Sequence, residues 1–150
     1  MFGMVSCTGL ALGAALLRLP WRITGVMLAG GREYYEQQAA ELAAAFQQQF
    51  DFALPDGGNA EAPHAALPLD WVERARPRRF GNVLPGEVAA CRNVARDHGI
   101  LLDPMYSLAA WEAAEQMAST KDRTPGGVAM LHAGGSLALH GLAQRFPDQF

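Results

Sequence analysis

Residues 21–50 read WRITGVMLAGGREYYEQQAAELAAAFQQQF. The first part, WRITGVML at 21–28, is a short run of β-branched and apolar residues between a proline and two glycines, which predicts a buried strand. The second part, 33–50, is rich in alanine, glutamine and glutamate and has large apolar residues four positions apart. That pattern predicts a long amphipathic helix. A strand followed by a helix is typical of α/β proteins with a parallel sheet.

The segments on either side extend this alternation. Upstream, an uncharged stretch has neither the basic start nor the cleavage site of a signal peptide, and it is short and glycine-interrupted for a membrane span. We interpret it as a buried helix that begins near Thr8 and ends at Pro20. Downstream, residues 51–54 are predicted as a second short strand in the next parallel position. Residues 55–68, rich in Pro, Gly and Ala, are predicted as a loop, and 69–72 as a strand at the edge.

The second half of the chain continues with the same alternation. The predicted elements are a helix at 85–98, a helix at 108–118, a buried strand at 128–131 (VAML) and a last helix at 136–145. Ser107 is predicted as the N-cap of the second of these helices, because its hydroxyl can accept hydrogen bonds from first-turn amides. Ligands of parallel sheets bind beyond the carboxyl ends of the strands, so a bound group is expected at the turn 132–135.

Composition limits the function classes. With 150 residues, of which 50% are hydrophobic, the chain is expected to form one domain over 1–150 with a real core. The net charge of −3 gives no electrostatic case for nucleic acid. The short run of basic residues is interpreted as a solvated loop, and three acidic residues as solvated helix faces. These residues are Arg74, Arg76, Arg78 and Arg79, and Glu87, Glu112 and Glu115.

The chain has two cysteines, Cys7 and Cys91, which are too few for a disulfide framework, and no histidine lies at zinc-ligand spacing from them. We therefore predict no metal site and a reducing, cytoplasmic location. No partner of nucleic-acid or membrane type is expected.

Several segments in order carry a resemblance to a known family. They are GLALG at 9–13 with RITGV at 22–26, FG at 80–81, HGILLDPMYS at 98–107 and LHAGG at 131–135. Together they resemble the 1-aminocyclopropane-1-carboxylate deaminase / D-cysteine desulfhydrase family, where the last two read EGILLDPVYTG and LHTGG. This resemblance implies a pyridoxal 5′-phosphate (PLP) enzyme of fold type II, similar to the tryptophan synthase β-subunit. The implied fold is a three-layer α/β structure with a parallel sheet, and the chain would be the C-terminal part of its large domain.

The resemblance implies a phosphate-binding loop near the start of the chain. Ser6, Thr8 and Gly9 fall where the family has a loop such as Gly-Ser-Gly-Gly-Thr. The chain departs from that pattern at Met4 and Val5, which are bulky enough to obstruct close approach of a phosphate to the backbone. Two interpretations stay open: Ser6 binds the phosphate, or Ser6 and Thr8 are ordinary helix-capping hydroxyls.

The resemblance also implies roles near the pyridine ring. Ser107 matches the position beside the pyridine nitrogen, where a neutral hydroxyl favours elimination, and capping the next helix is an alternative or additional role. Tyr106 matches an active-site tyrosine, with a half-buried core tyrosine as the alternative. Phe80 replaces the family's other tyrosine and lacks its hydroxyl. The turn residues implied to line the cofactor pocket are His132, Ala133, Gly134 and Gly135.

Lys121 is the only lysine, in a polar loop far from these motifs. The family's Schiff-base lysine belongs to a segment such as Gly-Asn-Lys-x-Arg, which has no counterpart here. Three hypotheses follow: a C-terminal half that needs a partner chain with the lysine, a non-catalytic remnant or interaction module, or a small α/β module of unrelated role. The implied substrate is a small amino acid such as D-cysteine or the cyclopropane amino acid. Unpaired sheet edges would also favour a homodimer.

Overall fold

The structure, a computed structural model, describes residues 2–51, 54, 67–119 and 126–149, leaving aside the side chains of residues 2 and 136. The chain forms two compact units, unit 1 at Met1–Glu73 and unit 2 at Arg74–Phe150. Each unit has buried hydrophobic clusters of its own. A single domain over 1–150 stays a prediction.

Unit 1 contains a parallel sheet with two helices. Its elements are α1 (Phe2–Leu16), β1 (Ile23–Met27), α2 (Arg32–Phe50) and β2 (Leu69–Glu73). β1 and β2 pair in parallel, with Ile23 opposite Leu69 and Met27 opposite Glu73. The prediction of an α/β fold with a parallel sheet is confirmed. Parallel strands need a long crossover connection, and α2 lies within it.

The core of unit 1 lies where the sheet meets both helices. One buried cluster joins α1, α2 and both strands, and its members are Met4, Met27, Tyr35, Ala39 and Trp71. The hydroxyl of Tyr35 accepts hydrogen bonds from the amides of Leu28 (2.9 Å) and Ala29 (3.0 Å), just beyond the end of β1. A second cluster contains Ala11, Leu12, Ala43, Leu54 and Leu67. Small alanines on α1 and α2 allow close packing.

Two predictions for unit 1 are wrong. α1 begins at Phe2 rather than near Thr8, so the segment expected to be a loop is helical. The strand predicted at 51–54 is not formed at its described residues: Asp51 ends α2 in the left-handed conformation (φ 49°), and Leu54 is buried outside any strand. The position next to β1 is taken by β2 instead. The loop predicted at 55–68 lies, up to residue 66, outside the described residues.

Replacing Gly25 with alanine is expected to destabilise unit 1. Gly25 lies opposite Trp71 in the register, and the indole ring occupies the space that a Cβ would need. Because Trp71 is only 4% exposed, the ring cannot move into solvent. Overpacking of this kind costs about 2–3 kcal/mol. Urea unfolding followed by tryptophan fluorescence measures the loss. The control is Gly13→Ala in α1, where a Cβ meets open space and stability should be kept or slightly raised; equal losses in both variants would contradict the packing argument.

Unit 2 is helical in its described part. Its elements are α3 (Glu87–His98), α4 (Ser107–Ser119), α5 (Ser136–Arg145) and a short 3₁₀ helix (Pro147–Gln149). The three helices predicted from the sequence are present. α3 ends at Gly99 in the left-handed conformation (φ 70°), which glycine adopts without strain at the end of a helix. Cys91, Leu102 and Leu108 form the buried cluster between α3 and α4.

The strand predicted at 128–131 is wrong. These residues are irregular, and Val128 and Leu131 are 39% and 63% exposed. A strand forms only where a neighbouring strand pairs with its backbone groups. The described part of unit 2 contains no strand that could pair with 128–131. Among the helices of the described ranges, none has the length and apolar character needed to cross a membrane.

Candidate functional site

The family-like residues of unit 2 gather around the carboxylate of Asp103, which is fully buried. Its Oδ1 accepts hydrogen bonds from the amides of Met105 (2.9 Å) and Tyr106 (2.8 Å), and its Oδ2 from the amide of Ser107 (3.1 Å). These amides precede or open α4 and would otherwise have no helical partner. Asp103 therefore acts as the cap that fixes the turn 103–107.

Ser107 does not perform the capping role predicted for it. Its hydroxyl donates to Asp103 Oδ2 (2.7 Å) and accepts from the Asp103 amide (2.7 Å), while Asp103 takes the first-turn amides. The N-cap prediction for Ser107 is wrong. The carboxylate of Asp103, four residues earlier, accepts hydrogen bonds from these amides, and a charged acceptor binds them more strongly than a hydroxyl. The predicted place of Ser107 near a pyridine nitrogen stays a prediction.

The turn 132–135 packs on the same segment. Gly135 has φ of 99°, and the Asp103 carboxylate lies where a Cβ of residue 135 would be. The Nε2 atom of His132 lies 2.9 Å from the carbonyl oxygen of Leu101, so this nitrogen carries the proton and donates. Two motifs that are about 30 residues apart in sequence are thereby held side by side, as the family resemblance implies.

Phe80 and Tyr106 form an aromatic pair at this site. Their ring centroids are 5.8 Å apart with an interplanar angle of 60°, an edge-to-face contact. Tyr106 is 41% exposed and Phe80 47% exposed. The Tyr106 side chain is therefore partly accessible to a ligand, and both its role as an active-site tyrosine and the alternative of a half-buried tyrosine stay open. Ala133 and Gly134 are exposed as well.

A buried group of charges, here named the arginine–glutamate cluster, consists of Arg74, Arg78 and Glu87. Glu87 Oε1 pairs with Arg74 (3.3 Å), with Arg78 (2.5 Å) and with the more exposed Arg76 (3.3 Å). The other oxygen, Oε2, accepts from the amide of Leu84 (2.9 Å). The prediction of a solvated surface is wrong for Arg74, Arg78 and Glu87, whose side chains lie inside the fold with the carboxylate as shared counter-charge. It is also wrong in part for Glu112, which has one buried carboxylate oxygen. Arg76, Arg79 and Glu115 are exposed.

The cluster reaches the turn 103–107 through backbone carbonyls. Arg74 donates from Nη2 to the Pro104 oxygen (2.6 Å) and from Nη1 to the Met105 oxygen (3.2 Å). Arg78 Nη2 also donates to Pro104 (3.2 Å). Burial and the neighbouring Arg78 guanidinium lower the pKa of Arg74, and Glu87 opposes that shift.

Cys91 is not a nucleophile candidate. Burial, with the carboxylates of Asp103 and Glu87, raises the pKa of its thiol to about 12, so the thiolate is absent at neutral pH. Burial also raises the pKa of Cys7. Within the described ranges, no group of three or more His, Cys, Asp or Glu side chains could hold a metal ion.

The residues expected to bind a phosphate lie in unit 1, inside α1. The hydroxyl of Thr8 is buried and donates to the Met4 carbonyl (3.0 Å), one helical turn earlier. The positions of Ser6 and Gly9 are likewise helical. A phosphate binds to free amides at the start of a helix, whereas amides at 6–9 are used in helical hydrogen bonds. The expectation of a phosphate-binding loop at residues 6–9 is therefore wrong, because these residues lie within α1.

The described residues do not fit PLP as a covalent cofactor. They provide no glycine-rich phosphate loop at the expected place, and Lys121, the one lysine of the sequence, lies outside them. The turn 103–107 contacts both the Phe80 ring and the turn 132–135, and the roles of these residues toward a cofactor stay predictions.

Comparisons with known proteins agree with this partial picture. No family model matches the chain. The chain is 44% identical over 145 residues to "Putative D-cysteine desulfhydrase 2, mitochondrial" of Oryza sativa subsp. japonica, a match covering 97% of this chain and 35% of that protein. The structure is similar to that of an ACC deaminase homologue, with a TM-score of 0.77 and 17% identity, over 99% of this chain and 42% of the other. The chain thus spans about a third of the rice relative. The family resemblance and the fold predicted from the motifs are confirmed.

Proposed function

We propose that this chain supplies one wall of a PLP-dependent deaminase or desulfhydrase site for small amino acids, and that it does not hold the cofactor by itself. The observation that carries the proposal is the Asp103 carboxylate, which joins the turn 103–107 to the turn 132–135. PLP would supply the electron sink for elimination or ring-opening deamination.

The roles of this chain's own residues follow from their exposure. Tyr106 is exposed beside Phe80 and would contact the reacting amino acid, with its hydroxyl as a proton carrier. Phe80 has no hydroxyl and would only shape the pocket. The exposed turn residues His132, Ala133 and Gly134 would line the pocket around the cofactor.

The lysine and the phosphate-binding groups would come from residues outside this sequence, in a partner chain or in a longer form of the protein. A second copy of this chain brings only another Lys121, so we favour a lysine-bearing partner over a homodimer. Both cysteines are free, which suits a reducing compartment. We propose either the cytoplasm, as predicted, or the mitochondrion, which the name of the rice relative gives for that protein.

A non-catalytic remnant or interaction module is the alternative, and two observations favour it. Residues 6–9 are helical rather than a phosphate loop. The single proton of the Ser107 hydroxyl is donated to Asp103, so that hydroxyl cannot also donate to a ring nitrogen.

Turnover assays separate the two proposals. With PLP, the chain alone is expected not to convert D-cysteine to pyruvate, sulfide and ammonia, nor the cyclopropane amino acid to 2-oxobutyrate and ammonia. Adding the part of the rice relative outside the matched stretch is expected to give turnover. Tyr106→Phe in this chain should then lower the rate on the order of 10²-fold.

The matched control is Tyr34→Phe, which removes the hydroxyl of an exposed tyrosine in unit 1 and should leave the rate unchanged. Turnover by the chain alone would contradict the claim that the lysine and the phosphate-binding groups come from outside this sequence. Absence of turnover with the added fragment would support the remnant.

A further inference from the structure

We infer that the arginine–glutamate cluster is a positioning device that sets the orientation of Tyr106 through the two peptide groups before it. The role of Tyr106 toward an amino acid rests on the proposed function, whereas the positioning itself rests on the hydrogen bonds of the described residues.

Both peptide groups between Pro104 and Tyr106 are held at each end. In the first, the Pro104 oxygen accepts from Arg74 and Arg78, and the Met105 amide donates to Asp103. In the second, the Met105 oxygen accepts from Arg74, and the Tyr106 amide donates to Asp103. Fixing both peptide planes fixes the backbone angles of Met105. The next peptide group is held too, because the Ser107 amide donates to Asp103 and the Tyr106 oxygen accepts from the Ala110 amide (3.4 Å). With a fixed peptide plane on each side of Tyr106, its backbone angles and the direction of its Cα–Cβ bond are determined.

Arginine chemistry suits this task. One planar guanidinium carries several donors in a rigid fork, so Arg74 binds two successive carbonyls and the Glu87 carboxylate at once. Lysine carries a point charge that cannot reproduce that fork. Glu87 is fully buried and is itself held by the Leu84 amide, so it provides a fixed counter-charge for both guanidinium groups.

A purely stabilising cluster would act on the whole of unit 2, whereas a positioning cluster acts locally on Tyr106. The ring contact between Phe80 and Tyr106 reports the difference. A small rotation of the Tyr106 side chain changes the ring-current shift that Phe80 causes at the Tyr106 ring. Tyr34 and Tyr35, the other two tyrosines of the sequence, lie in unit 1 and serve as internal references.

The test is fluorine NMR of the full chain labelled with 3-fluorotyrosine, with the Tyr106 signal assigned from its loss in Tyr106→Phe. Arg74→Lys keeps the charge opposite Glu87 and loses the fork. The expected result is a shifted and broadened Tyr106 signal with unchanged Tyr34 and Tyr35 signals. The matched control is Arg79→Lys, since Arg79 makes no ion pair among the described residues and its substitution should move no signal.

An unchanged Tyr106 signal in folded Arg74→Lys would overturn the inference. If that variant does not fold, Arg78→Lys replaces it. A smaller shift of the same signal is expected, because Arg78 donates to the turn 103–107 only at the Pro104 oxygen, and its other partners, Glu87 and the oxygens of Arg76 and Asn82, lie outside that turn. No turnover is measured, so a negative result here leaves the proposed function standing, and a failed turnover assay leaves this inference standing.

Discussion

Replacing Asp103 with alanine is expected to lower the free energy of unfolding by about 3–5 kcal/mol, because three amides and one hydroxyl lose their acceptor inside the fold. Loss of a helix cap alone costs about 1 kcal/mol, and each buried donor left without a partner adds to that cost. The turn 132–135 would lose its support as well, since Gly135 packs directly on this carboxylate.

Urea unfolding followed by far-ultraviolet circular dichroism measures the loss for Asp103→Ala. Asp97→Ala is the matched control, because Asp97 is exposed on α3 and its removal should change stability by no more than about 0.5 kcal/mol. A loss below about 1 kcal/mol for Asp103→Ala would mean that the amides are satisfied without the aspartate.

Replacing Glu87 with glutamine is expected to cost about 3–5 kcal/mol, since removing one partner of a buried ion pair leaves the other charge uncompensated. Glutamine has nearly the volume of glutamate, so the loss reports charge and hydrogen bonding rather than packing. Two nearly buried guanidinium groups, those of Arg74 and Arg78, would face only a neutral amide and the backbone carbonyls.

Glu115→Gln on the exposed face of α4 is the control, with an expected change of no more than about 0.5 kcal/mol. Equal unfolding midpoints for Glu87→Gln and the parent chain would show that the cluster carries no net stabilisation.

The elements that the sequence predicted correctly are those with local signals. β1 and α2 show their periodicity within a single window, and Gly99 marks the end of α3. The two strands predicted wrongly, at 51–54 and 128–131, are short apolar runs. Whether such a run forms a strand depends on a distant pairing partner, which composition does not reveal.

For the residues of unit 2 around Asp103, the sequence indicated which side chains to consider but not how they are held together. Tyr106, Ser107 and the turn 132–135 were indicated by the family motifs, and they lie around Asp103. Asp103 lies within the HGILLDPMYS motif, but no role was predicted for it. An aspartate followed by proline shortly before a helix is, however, a cap signal that could have identified it.

The burial of Glu87 had no comparable signal. A glutamate in the first turn of a helix is usually solvated, and only the fold brings Arg74 and Arg78 onto its carboxylate. The helix at 6–9 shows the opposite error, where the resemblance implied a loop and the local sequence, with Met4 and Val5, formed a helix.

The central claim is that this chain provides a wall of the site without the group that holds the cofactor. Its most direct test is incubation of the chain with PLP, reduction with borohydride, and peptide mapping by mass spectrometry. The account predicts no stoichiometric covalent adduct on the isolated chain. A single stoichiometric adduct at Lys121, accompanied by turnover of D-cysteine or the cyclopropane amino acid, would contradict it.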